Sequence, residues 1–520
     1  MKKIIALLCA VAMIVSLCGC GGTVEEVESI VEWTEGGQQN DVDISNSSDG
    51  SSSNGSSSNG SSSDGSSSNG SSSNGSISDG SGNIGSGNSN IKNPLDVDLK
   101  GATITIYDTG TFNPDASLSK TNKAKADMLN KIQKELNCKF KVVSTTNEKI
   151  KSYVTNSAAS GKALCGIIAP SMYESGYYIA ANLVTNFTKV SSMDLSKDYM
   201  NRYGVLNASQ FGSAKYVVPA EGETRTHIVY FNKRILKEIG YSENYIYDLV
   251  DSGKWTYEAY RDLAKKAMKD LDGKAGMSGD DQWGQVVQDD STQVMSNIVV
   301  SYGTTMLKLG TDGSLKNNMT DSKIINATNL ANEVLYKDGT KYKPSSVEDR
   351  VNFFAQGKAL FLYADIGKAK TITNMKDEFG IAPPPQVNAS EKYVSAIDYN
   401  ARVLMMPAGL SAQDQYNAGA VIQAYQYLYE DVLDAMEKEW TNRYLCDEKS
   451  AANWRIAANA LTTMPQQLYS QTNESILSGT YRIFWDYFSG KSTSPATSIQ
   501  STKSVLDTAL AELNKKIKDK

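Results

Sequence analysis

Apolar and polar positions change period along the chain, and each period predicts an element. The stretch "ATITIYD" from Ala102 alternates one for one, the pattern of a strand with a single buried face. From Thr121 to Asn137 the apolar residues Ala124, Met128, Leu129, Ile132 and Leu136 recur at helical spacing and predict one inner face. "CKFKVV" and "LCGIIAP" return to strand composition. This strand–helix–strand rhythm predicts an α/β sheet with crossover helices. Further on, "HIVYFNKRILKEIGY" is a strand running into a short helix. In "KWTYEAYRDLAKKAMKDL", Thr256 is the expected cap of a helix whose inner face is Tyr260, Leu263, Ala264, Ala267 and Leu271. Three prolines in "IAPPPQV" stiffen a strand exit. From Ser411 onward long amphipathic helices dominate, the last predicted over Ser504 to Ile517 on Leu506, Ala509, Leu510, Leu513 and Ile517. From Asn93 to the end the chain is too long for one compact core and long enough for two lobes.

The first residues follow a different pattern. Met1, Lys2 and Lys3 precede an apolar run from Ile4 to Leu17, the arrangement of a secretory leader. That run is shorter than the roughly 20 residues a membrane span needs, and no later run approaches this length. Leu17-Cys18-Gly19-Cys20 resembles the bacterial lipobox, with Cys18 where Ala or Ser is usual. Residues 1–19 are therefore expected to be a lipoprotein signal peptide and Cys20 the lipidated mature N-terminus; an ordinary leader cut nearby is the alternative. The C-x-C spacing with no histidine near it disfavours a redox or metal pair. Residues 20–92 are expected to be the lipidated cysteine and a disordered tether. Five near-identical pentads, "SSSNG" or "SSSDG", run from Ser51 to Gly75 and hold too little apolar surface to offset the entropy of ordering. A random coil of ~50 residues reaches about 40 Å.

Composition narrows the chemistry. The formal net charge is −6 over 520 residues, with no dense Lys/Arg block, so no nucleic-acid partner is expected. Cys138, Cys165 and Cys446 make an odd set in the folded part and no disulfide framework, although a Cys138–Cys165 bridge stays open. His227 is the only histidine, too little for a Ser-His-Asp triad or a His-based zinc site. "DLDGKAGMSGDD" begins like a calcium loop at Asp270. Lys274 falls on a ligand position, Ala275 replaces the required glycine and Asp281 replaces glutamate, so it is rejected. Neither a metal nor a cofactor is expected, and no catalytic residue is assigned.

Three segments carry a resemblance. "KYVVPAEGETRTHIVYFNKRILKEIGY", "GKWTYEAYRDLAKKA" and "FFAQGKALFLYADIGKAKTITNMKDEFGIAPPP" occur in order and at plausible spacing behind the lipobox and tether. Together they resemble bacterial extracellular solute-binding proteins of family 1, the sugar-binding class that includes maltose-binding protein, over most of Gly101 to Ile517. The resemblance implies a two-lobed α/β, periplasmic-binding-protein-like fold with hinge strands, a helix-rich C-terminal part and Venus-flytrap closure on ligand. It places the first crossing near Val218–Thr226 and the second near Pro383–Gln386. The N-lobe is then about 98–222 plus a return from about 386, and the C-lobe about 226–382 plus part of the C-terminal helices.

Ligand contacts are expected on loops at the carboxyl ends of strands, from aromatic faces and paired polar groups. The candidates are Thr109 and Phe112 after the first strand, and Ser171 and Tyr173 after "GIIAP". Glu221 and Arg225 lie in the first crossing loop, and Tyr363 and Asp365 in "LYADIG", where relatives frequently carry a stacking Trp. Asp398 and Tyr399 follow in "AIDYNAR", then Trp485 in "GTYRIFWDYFSG", with Trp283 of "DDQWGQ" in second rank. Trp255 and Trp440 are assigned to the core. The function expected is a monomeric, non-enzymatic receptor, lipid-anchored through Cys20 on the extracytoplasmic face of the cell membrane. It captures a carbohydrate, expected to be an oligosaccharide, and delivers it to ABC transporter permease subunits. The alternatives are a secreted glycoside-active enzyme, which needs two suitably spaced carboxylates, and a peptide-binding or sensing surface lipoprotein.

Overall fold

The computed structural model describes residues 30–32 and 93–518, apart from 223–224, 289–291, 391 and 493. The leader, Cys20 and the Ser/Asn/Gly pentads lie outside the described residues. In the first half the strands are β1 (Ile30–Glu32), β2 (Ala102–Asp108), β3 (Cys138–Ser144), β4 (Ile167–Ala169) and β5 (Val218–Pro219). Next come β6 (His227–Asn232), β7 (Trp283–Val287), a hairpin of β8 (Leu307–Leu309) and β9 (Leu315–Asn317), β10 (Ala359–Asp365) and β11 (Phe379–Ala382). The short β12 (Ser395–Ala396), β13 (Val403–Leu404) and β14 (Leu461–Thr462) complete the set.

The first lobe is built on the order β1-β3-β2-β4. β2 runs parallel to β3 and β4, so the helix Lys120–Glu135 is the crossover between neighbouring strands. Ser119 caps that helix by accepting the Asn122 N–H, and Met128, Leu129 and Ile132 bury one face beneath the sheet. β1 adds antiparallel to β3, Ile30 opposite Val143. The tether assigned to 20–92 therefore contains a strand: β-branched Ile30 and Val31 find an open sheet edge, which offers unpaired backbone groups. Met405 bridges Ile168 and β13 pairs with β5, extending the sheet across the return segment.

The second lobe has the order β11-β6-β10-β7, with β10 parallel to β7 and β6 antiparallel to both β10 and β11. Every residue of β6 and of β10 is buried, as expected when both sheet faces are covered. Trp255 is fully buried, and Tyr260 stacks on Phe361 at 4.5 Å between ring centroids. Thr256 caps the helix Tyr257–Lys266 through the Ala259 N–H. That helix stops short of Leu271, which is 54 % exposed. Lys269 instead exchanges two 3.0 Å backbone hydrogen bonds with Gln282, which pulls the chain off the helical path. The C-terminal helix starts earlier than its apolar pattern, running Pro495–Lys518, because proline suits a first helical turn.

The chain leaves the first sheet after Pro219 and enters the second at His227. The return does not fall at Pro383–Gln386. There the Pro383 carbonyl accepts Trp255 Nε1–H at 2.8 Å, and Gln386 is bonded to the backbone of Trp255 and Tyr257. Residues 383–386 thus stay on the second lobe. The crossing back comes at 396–401, where Ala396 N–H meets Asn297, and the carbonyls of Tyr399 and Ala401 accept Tyr173 and Met172 N–H. Cys138 and Cys165 are both free, and burial pushes each thiol up to about 12. Among the described residues no helix is long and apolar enough to cross a membrane.

Candidate functional site

The parallel strands of the first lobe end together. β2 leads into Thr109, β3 into Asn147, and β4 into Ser171 and Tyr173. Asn147 Nδ2 donates to Ser171 Oγ at 3.0 Å and to the Tyr173 hydroxyl at 3.3 Å, while its Oδ1 accepts the Ser171 N–H. Tyr173 meets Tyr399 edge to face, ring centroids 5.9 Å apart. Thr109 Oγ1 donates to the Ala169 carbonyl and accepts from Arg402 Nε at 3.1 Å.

Beside this cluster a cavity of about 560 Å³ opens at the carboxyl end of β7 and at both crossings. Arg225 and Gln293 line it together with Asp398 and Asn400. Gln288, Lys343 and Arg350 form a polar side, and Tyr336, Trp485 and Phe488 an aromatic one. Tyr336 and Phe488 stack at 5.3 Å, and Trp485 is 37 % exposed, so aromatic surface and hydrogen-bonding groups line the same cavity. Arg350 is held by carbonyls: its Nη1 donates to Gln288 at 2.8 Å and Val287 at 3.3 Å, and Nε to Pro344.

Asp398 is the only carboxylate among the cavity's described lining residues. Its Oδ1 accepts the Asn400 N–H, and Oδ2 accepts Gln293 Nε2 at 3.1 Å and lies 3.3 Å from His227 Nε2. Burial works to raise the Asp398 carboxyl, but these hydrogen bonds and the nearby Arg225 hold it below the usual carboxylate range.

Of the residues expected to touch ligand, Arg225, Asp398 and Trp485 line the cavity, and Thr109, Ser171, Tyr173 and Tyr399 form the neighbouring cluster. Five others fall elsewhere. Phe112 is fully buried against Phe140 and Tyr425, because the Asp108 carboxylate accepts Phe112 N–H and turns the loop inward. Tyr363 is 1 % exposed inside β10, in the core with Trp255 and Tyr260. Trp283 opens β7, about 16 Å of strand from Gln288, and its Nε1–H is taken by the Ser278 carbonyl. Asp365 is buried at the end of β10, its Oδ2 3.7 Å from Lys368 Nζ. Glu221 is buried in an ion cluster with Arg402, 2.6 Å away, and Lys125 at 3.7 Å.

Asn147, Gln288, Gln293, Lys343, Arg350 and Asn400 escape the sequence reading. Gln288 carries the one signal that could have found it, a polar residue immediately after a strand, while Asn147 opens the helix that follows β3. Lys343 stands in a loop and Arg350 in the first turn of the helix Val347–Ala355, with no such mark.

No protein-family model matches the sequence, and no curated protein matches it. Solved structures do match the fold, a two-lobed α/β architecture. A cyclo/maltodextrin-binding protein complexed with maltotetraose is similar at 13 % identity, with 79 % of this chain and 98 % of that one covered and a TM-score of 0.55. The GacH receptor of Streptomyces glaucescens, solved unliganded and with acarbose, is similar at 14 % identity, 80 % and 99 % coverage and a TM-score of 0.52. UgpB from Mycobacterium tuberculosis, in complex with glycerophosphocholine, gives 16 % identity, 79 % and 98 % coverage and a TM-score of 0.52.

Proposed function

We propose that this chain is an extracytoplasmic receptor that captures a carbohydrate between its lobes and passes it to an ABC transporter permease. The observation that carries this reading is the cavity at the crossings, where Trp485 and Phe488 face Asp398, Asn400 and Gln293. A sugar ring offers C–H faces to aromatic surfaces and hydroxyls to carboxylate and amide groups, so one ligand satisfies both walls. A cavity of about 560 Å³ suits an oligosaccharide of a few units. The likeness in fold to a maltodextrin-binding protein and an acarbose receptor supports the same class. A glycosidase is disfavoured, since hydrolysis needs a pair of carboxylates across the scissile bond and Asp398 stands alone among the described lining residues. The leader, Cys20 and the pentads fit a lipid anchor and a long tether that keep a monomeric receptor at the outer membrane surface beside its permease.

A second reading has its own observation. Arg225 and Arg350 both face the cavity, which favours a solute carrying a carboxylate or phosphate. Titration calorimetry against mono- and oligosaccharides, uronate-bearing saccharides, glycerophosphodiesters and peptides tests both. Heat from neutral saccharides supports the first reading and heat from the anionic compounds alone the second. Heat from peptides alone overturns both, and hydrolysis of any saccharide restores the enzyme.

A further inference from the structure

His227, the only histidine in the chain, is 1 % exposed where the first crossing joins β6. Nε2 lies 3.3 Å from Asp398 Oδ2, and Nδ1 lies 3.4 Å from Asn297 Nδ2. The amide of Asn297 has its orientation set independently. Its Oδ1 accepts the Ala396 N–H at 2.9 Å, and its Nδ2 donates to the Gln293 carbonyl at 3.0 Å. Asn297 therefore turns an N–H toward the imidazole, and Nδ1 must be the acceptor. The remaining ring proton then sits on Nε2 and points at Asp398. Among the described residues no hydroxyl or thiol is hydrogen-bonded to the ring, so the chain Asn297–His227–Asp398 ends on a cavity carboxylate rather than on a nucleophile.

We propose that His227 is a positioning residue for the binding site, acting as a neutral imidazole whose Nε2–H fixes the Asp398 carboxylate in the cavity. The assignment rests on the receptor reading for its purpose, but its geometry stands without a ligand. The arrangement also joins both crossings: His227 belongs to the first, Asp398 and Ala396 to the second, and Asn297 to the helix Gln293–Ser301 between them in space. Among the described residues, the charged groups facing the ring and its strand are Asp398, Arg225, and Asp365 with its Lys368 partner across β10. Protonating Nδ1 sets an N–H against the Asn297 N–H and commits the Asp398 charge to an imidazolium.

A sole histidine makes the test direct. The full-length chain, prepared without a histidine tag and with ¹⁵N-labelled histidine, yields one pair of imidazole nitrogen signals. At neutral pH, Nε2 is expected to be the protonated, pyrrole-type nitrogen and Nδ1 the pyridine-type one. Asn297→Asp, which replaces the facing donor by an acceptor, is expected to move the ring to the Nδ1–H or doubly protonated form. A wild-type ring already in either of those forms, or a tautomer indifferent to Asn297→Asp, overturns the assignment. The purpose is read with whichever saccharide binds in calorimetry. His227→Gln keeps a donor toward Asp398 and is expected to retain affinity. His227→Phe is expected to lose about tenfold. Equal affinity in His227→Phe and wild type overturns the positioning role. Absence of any saccharide binding sinks the receptor reading instead and leaves the tautomer result intact.

Discussion

Trp485 and Phe112 show how differently two aromatic candidates behave once their surroundings are known. Trp485 stands partly exposed on the cavity wall and supports little of the core. Trp485→Ala is expected to cost about tenfold in saccharide affinity by calorimetry, from the lost ring surface, and to move the unfolding midpoint hardly at all. Phe112 is fully buried beside Phe140 and Tyr425 and touches no ligand surface. Phe112→Ala is expected to destabilise the fold by about 3–5 kcal/mol in urea unfolding, leaving a cavity in the first lobe. The two substitutions separate a binding aromatic from a core aromatic with the same assays.

At the scale of elements, the crossings are tied by a side-chain pair near each lobe. The His227–Asp398 hydrogen bond lies at the second lobe, and the Glu221–Arg402 ion pair at the first, with Thr109 beneath the arginine. Burial works to raise the Glu221 carboxyl, yet Lys125 and Arg402 hold it below its ordinary value. A carboxyl depressed in the folded state contributes stability that is complete above its unfolded value and is lost as pH falls through the folded one. Urea unfolding over a pH series should therefore show wild type losing stability below the ordinary carboxylate range more steeply than Glu221→Gln. An identical slope in both proteins contradicts a depressed Glu221. Much at this scale was legible from pattern. The alternation in "ATITIYD", the helix after Ser119 and the Thr256 cap all follow from local periodicity and capping. The misses came where a partner far along the chain intervened. Gln282 ends the helix before Leu271, and Trp255 keeps Pro383 on the second lobe.

At the scale of the whole molecule, two lobes joined by two adjacent crossings invite hinge motion on ligand. Small-angle scattering at saturating saccharide is expected to give a smaller radius of gyration than the free protein; an unchanged radius argues against a closing receptor. Removal of residues 45–92 is expected to leave affinity untouched, because their Ser/Asn/Gly composition offers little apolar surface. Periodicity, caps and punctuation along the chain were enough to determine an α/β fold in two lobes, because those signals are local. They also marked the strand ends where Thr109, Ser171 and Tyr173 stand. Which aromatic faces solvent, where the chain crosses back, and how Asp398 comes to meet His227 from 171 residues away were decided only by tertiary structure. A cavity is made by surfaces that meet across long loops, and no window of sequence holds both of its walls.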